Sequence, residues 1–307
     1  MKILACTTLL ITLALPLHAQ TIDDGIMLTA RSLQVGSIYT HDQWDEYWEG
    51  TLKRVNGNLG TVATQTNTWS VAYGVTDRMT AFASAPLVWT HPSQGVLQGQ
   101  HGMQDMTLGG KYSVLERSPG GHGLLRAMAA ASGSFPLTNY VFDFAPMSIG
   151  THSRRISGRL TLNYQTEPGV YVSGTTAYTT RHDLTLDRPY YYTDGQLFLT
   201  DQVDMPSVAT DSVSVGYLKH DLNTNVSYSR QRTQGGGDIR RQDMPFVSNR
   251  VNVSSVSAMA MHPIPWLHVL SAYGSVAHTL DGRNVGQSTT IAAGVLYSYA
   301  SHGSLIR

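Results

Sequence analysis

The chain has 307 residues with 21 Lys+Arg against 21 Asp+Glu, so its formal net charge is zero. That balance offers no basic field to a phosphate backbone and excludes nucleic acid as a partner. Charged residues are only 14%, against roughly 25% in soluble domains, and apolar residues are 41%; Gly, Ser, Thr, Asn and 16 Tyr fill the difference, which suits a wall with one lipid face and one uncharged polar face.

The first element is Met1-Lys2 followed by an apolar run from Ile3 to Leu15, then Pro16-Leu17-His18-Ala19. This is the layout of a signal peptide over residues 1–19, and the run is too short to span a bilayer as a helix. Cys6, the single cysteine, falls inside it. The expected mature chain therefore has no disulfide and no thiol chemistry.

From Ser32 onward the period is two. Met106, Leu108, Gly110, Tyr112 and Val114 share one face, and Asp105, Thr107, Gly109, Lys111 and Ser113 the other. Ile156 to Tyr164 and Leu222 to Ser229 repeat the pattern. The alternation predicts twelve strands, at 33–41, 61–73, 79–91, 104–115, 124–135, 153–165, 170–181, 208–219, 222–230, 247–261, 266–277 and 286–299. Short and long connections alternate along the chain. Tyr and Trp fall at both ends of the apolar faces: Tyr73, Tyr112, Tyr164, Tyr217 and Tyr299 at one end, Tyr39, Trp89, Phe135, Tyr178 and Tyr228 at the other. The expected fold is all-β: a transmembrane, antiparallel, up-and-down β-barrel of about twelve strands over residues 20–299, with short periplasmic turns and long external loops. Residues 300–307 are expected to form a C-terminal tail.

Three segments carry a family resemblance. They are Tyr73-Gly74-Val75-Thr76-Asp77-Arg78, then Gln104-Asp105-Met106-Thr107-Leu108-Gly109-Gly110-Lys111-Tyr112, and Gly133-Ser134-Phe135-Pro136-Leu137. Together they resemble the Gram-negative outer-membrane transporter-like barrels of the phenol meta-pathway (MetA-pathway of phenol degradation) family. Gln104 stands where that family often has Gly, and Leu137 where Thr is usual. The C-terminus also departs, since Ala300 to Arg307 follow the expected terminal aromatic. The resemblance implies passage of small molecules, aromatic or apolar ones among them, through an outer-membrane channel.

Functional residues are sought on the inward face. Parity turns Asp105, Lys111, Arg126, Arg155, Arg159 and Arg250 inward as pore-lining residues. Either they bias the lumen towards anions, or they brace the barrel by pairing with carboxylates. The loop Asp42-Gln43-Trp44-Asp45-Glu46-Tyr47-Trp48-Glu49 concentrates acids, and Trp44, Tyr47 and Trp48 make it a candidate external binding lip. The alternative is the upper aromatic girdle. His41, His91, His101, His152, His182 and His278 lie near external strand ends, yet no pair has zinc-ligand spacing, so no metal and no cofactor are expected. His152-Ser153 and Ser271 near His268 lack the context of a hydrolase. The expectation is a monomeric, non-enzymatic channel whose partners are outer-membrane lipid and a small solute. The alternatives are a non-conducting binding or structural barrel and, further off, an outer-membrane lipid hydrolase.

Overall fold

The computed structural model describes residues 22, 24–219, 222–240 and 244–300. The expected signal peptide and residues 301–307 of the expected tail lie outside the described residues. Twelve long strands follow in order: β1 (Leu33–Trp44), β2 (Val62–Thr76), β3 (Met79–Pro92), β4 (Asp105–Arg117), β5 (Leu124–Pro136), β6 (Arg155–Gln165), β7 (Val170–Arg181), β8 (Val208–Lys219), β9 (Leu222–Thr233), β10 (Asn252–Ile264), β11 (Leu267–Arg283) and β12 (Thr289–Tyr299). Each pairs antiparallel with its neighbours in sequence, and β1 pairs with β12 from Leu33↔Tyr299 to Gln43↔Thr289. That seam closes the sheet into a barrel, so no long edge remains to aggregate.

Side-chain parity is as the sequence predicts. On β6, Ile156, Leu160, Leu162 and Tyr164 are exposed on the outer wall, while Thr161 and Asn163 are buried inside. The girdle residues Tyr39, Trp89, Phe135, Tyr178 and Tyr228 at one end, and Tyr73, Tyr112, Tyr164 and Tyr299 at the other, are all exposed outward. Amphipathic rings at the two lipid boundaries are the expected anchors.

The structure lengthens some strands beyond their predicted ends. β1 reaches Trp44 and β11 reaches Arg283, whereas β10 begins only at Asn252 and β12 at Thr289. Above the lipid both faces meet water, so the hydrophobic alternation fades before the hydrogen bonds do. A short strand, His101–Met103, completes the wall beside the upper half of β3, where β4 pairs only with Met79–Ser84.

Two features lie inside the barrel. At the periplasmic end, residues 24–32 enter the lumen before β1 begins, with bends at 24–25 and a turn at 30–31, and Met27 and Leu28 are completely buried. At the external end, loop 137–154 folds inward and buries Met147 and Ile149. Thr90 Oγ1 donates to Met147 O at 2.7 Å, and Gln104 Nε2 donates to Ile149 O. Over this sits a small apolar core of Leu184, Leu186, Tyr191, Val203, Met205 and Phe246, with Phe198, Tyr191 and Phe246 stacked in sequence at about 5 Å.

Candidate functional site

Between these two closures lies a chamber of about 560 Å³. Its wall is two-sided. Ile38, Phe82, Met259, Tyr273 and Leu296 give an apolar side; Asn163, Ser173, Thr175, Ser212, Ser214, Asn225 and Ser227 give a side of hydroxyls and amides. The large apolar residues come mostly from β1, β3 and β10–β12 and the hydroxyls and amides mostly from β6–β9, with Tyr171 and Leu218 set among the latter and Gln34, Ser84 and Ser257 among the former. Among the described residues the one charged group in the lining is Asp24, which belongs to the inserted N-terminal segment.

That segment is fastened at every turn. Lys111 is 1% exposed, and its Nζ donates to Asp24 Oδ1 at 2.8 Å and to Asp24 O at 3.0 Å. The same ammonium lies 5.4 Å over the Phe82 ring. Ile26 packs on Tyr171 and Leu218, and Leu28 packs on Ala72. Thr80 Oγ1 accepts from Leu28 N at 3.3 Å, Asp77 Oδ1 from Ala30 N at 3.0 Å, and Gly74 O from Arg31 N at 2.6 Å. Gly74 is required here, because a Cβ at that position would sit 2.0 Å from Thr29 O. Gly74, Asp77 and Lys111 all belong to the motifs that carry the family resemblance. In the structure these motif residues dock the N-terminal segment.

Each predicted lumen residue can now be placed. Asp105 is buried and accepts from Tyr140 Oη at 2.5 Å and from Arg155 Nη2 at 2.7 Å. Burial and the hydrogen bond to Asp105 push the Tyr140 phenol far above its usual range, so it stays neutral and donates. Arg126 is buried with its Nε 3.4 Å from Glu116 Oε1. Arg159 lies on the inward face of β6, two rungs below Arg155. Lys111, Arg126 and Arg155 therefore each face a carboxylate. Arg250 is not in the wall: β10 starts after it, and in the external loop its Nε reaches Gly235 O at 3.4 Å. The parity argument was extended past the last ladder bond, where it no longer holds.

The candidate lip is also corrected. Trp44 ends β1, and its ring pairs with Tyr47 at 6.1 Å. Trp48 is 7% exposed, packed beside Gly282 and covered by Lys53 at 5.9 Å, so its ring is not offered to solvent. The acids nearby are neutralised across the hairpin Glu46–Glu49 and Leu52–Val55, with Glu46 2.6 Å from Lys53 and Glu49 2.7 Å from Arg54. His152 sits between Tyr140 and Phe142, with ring centroids 5.0 and 5.5 Å away. Ser153 Oγ donates to His182 O, so its hydroxyl is engaged by backbone. Among the described residues, no three His, Cys, Asp or Glu side chains come together as a metal site.

Sequence reasoning missed the lumenal N-terminal segment and Arg181, an inward arginine at the end of β7. A usable signal existed for the first. Ile26-Met27-Leu28 is an apolar triplet ahead of the first strand, and Lys111 is a buried cation in a charge-poor strand that needs a counter-ion.

Comparison with known proteins followed the same lines. Residues 56–292 match the model of the family described as "Putative MetA-pathway of phenol degradation". The match extends well past residue 137, where the motif resemblance ends. Among solved structures, the COG4313 outer membrane channel from Pseudomonas putida F1 superposes with a TM-score of 0.70 at 12% identity, covering 91% of this chain and 100% of the other. The NanC porin covers 85% of this chain and 98% of its own, with a TM-score of 0.48 and 8% identity. A search of curated protein sequences returned no match. These neighbours are channels and porins rather than enzymes. The lipid-facing wall, its two girdles and the seam from β1 to β12 make the protein a bacterial outer-membrane β-barrel. With more than three quarters of its length matched, the chain belongs to the MetA-pathway phenol-degradation family of outer-membrane barrels.

Proposed function

We propose that the protein is a monomeric, passive outer-membrane channel for small molecules with an apolar body and a hydrogen-bonding edge, aromatic ones among them. The observation that carries this reading is the chamber of about 560 Å³, with most of its large apolar side chains on β1, β3 and β10–β12 and most of its hydroxyls and amides on β6–β9. A ring packs against Phe82, Tyr273 and Leu296 while its polar edge exchanges water for hydroxyls, so entry costs little desolvation. Lys111, Arg126 and Arg155 act mainly as braces in this reading, each facing a carboxylate. The likeness to the Pseudomonas putida channel supports the barrel type.

The test is flux through reconstituted vesicles. Benzyl alcohol should enter faster than through empty vesicles, and solutes too bulky for the chamber should not. Protein that inserts yet passes neither would overturn the channel. The second reading, a non-conducting binding barrel, is favoured by one observation: both ends of the chamber are narrowed by the protein's own segments.

A further inference from the structure

The external mouth holds a charge arrangement that bracing leaves unexplained. Arg155 and Arg181 are direct partners across the ladder between β6 and β7, and both lie on the inward face. Like charges in that position destabilise a sheet. Asp105 is bonded to Arg155 and also accepts from Tyr140. Arg181 forms no ion pair among the described residues; its Nε donates to Pro206 O at 2.6 Å. Its Nη2 is buried without a hydrogen-bond partner, and so is Nε of Arg155. Among the described residues Arg155 thus has a carboxylate and Arg181 has none, with one donor nitrogen on each left over. Leaving buried donors unpaired is costly, and each one in a native site calls for a physical reason. The mouth is reachable, because the Arg155 side chain remains 35% exposed.

We propose that Arg155 and Arg181 form a carboxylate-recognition site at the external mouth, which receives the ionised head of a small organic acid whose body enters the chamber below. One spare donor nitrogen on each of two ladder-paired arginines suits the two oxygens of one carboxylate. A dianion is disfavoured, since Asp105 stands on the other side of Arg155. Ser134, whose Oγ lies 3.4 Å from Arg155 Nη2, adds a hydroxyl at the rim. The inference rests on the channel reading and narrows its solute class.

The experiment is calorimetry on the full-length chain in detergent micelles, with acetate, benzoate and benzyl alcohol as probes. Wild type should bind benzoate more tightly than acetate and should bind benzyl alcohol weakly. Arg181→Gln should weaken benzoate by about tenfold or more, the usual scale for one charge-assisted pair, and leave benzyl alcohol unchanged. Heat-modifiable gel migration checks that the barrel has closed. If Arg181→Gln does not close, Arg181→Lys decides: it keeps the charge but loses the fork, so benzoate should weaken by about threefold. No saturable benzoate binding in wild type, or unchanged affinity in the variant that folds, overturns the site. The two readings fail separately. Binding without vesicle flux sinks the channel and leaves the site; equal flux of benzoate and benzyl alcohol without binding sinks the site and leaves the channel.

Discussion

Single residues in this barrel commonly serve two neighbours. Gly74 pairs within β2 at its register shift and also leaves room for Thr29 O, and Lys111 occupies a wall position while neutralising Asp24. That Lys111 points inward was legible from period two. Its partner was not, because Asp24 sits 87 residues away in a segment with no periodicity. The external rim shows the same economy. Asp238 bonds Arg283 Nε at 2.7 Å and Asn284 Nδ2 at 2.8 Å, and the guanidinium holds its carboxyl down at about 2. An unfolded Asp titrates near ~3.9, so the folded value is depressed. The contribution to rim order is then present above about pH 4 and lost as pH falls towards 2. Hydrogen exchange in 234–240 and 284–288 should therefore rise over that window while the strands stay protected. Asp238→Asn should remove the pH dependence; an unchanged profile in the variant would discard the assignment.

Among the elements, strands were the most legible and inserted segments the least. A strand between lipid and lumen must alternate, so twelve strands could be read from Ser32 onward. Residues 24–32 obey no such rule, since they form no wall between lipid and lumen and the choice of contacts is tertiary. The same holds for loop 137–154, whose buried Met147 and Ile149 carry no pattern. In the candidate lip the packing partner is likewise tertiary: Trp48 finds its cover in β11, while Trp44 and Tyr47 pair with each other. The N-terminal segment makes a direct prediction. Deleting residues 22–31 should leave a closed barrel, because β1 still pairs with β2 and β12 along its length. Single-channel conductance should rise several-fold, as the floor of Met27 and Leu28 is gone. A deletion variant that inserts with wild-type conductance would show that the segment does not limit passage.

At the scale of the molecule, neutrality is achieved pair by pair. Four fastenings join the external loops into one rim: Arg188 to Asp143, Arg240 to Asp194 at 2.9 Å, Arg283 to Asp238, and Gly50 N to Asn284 Oδ1 at 2.8 Å. The expected segregation, acids in the first loop and bases on the inner wall, is replaced by local pairing of Glu46 with Lys53 and of Glu49 with Arg54. Surface pairs of this kind are individually weak, and a rim depends on their number. High salt should loosen the rim as a whole, while the seam between β1 and β12 holds.

The floor of the chamber is the chain's own beginning, held by one ion pair, a few hydrogen bonds and a small apolar contact. Such a patch opens locally far more often than the strands around it come apart. Permeation is then timed by the protein rather than by the solute. A recorded current should arrive as brief, irregular bursts instead of a steady level. The interval between bursts should shorten on warming more steeply than the viscosity of water allows, since each one waits for Met27 and Leu28 to leave their seats.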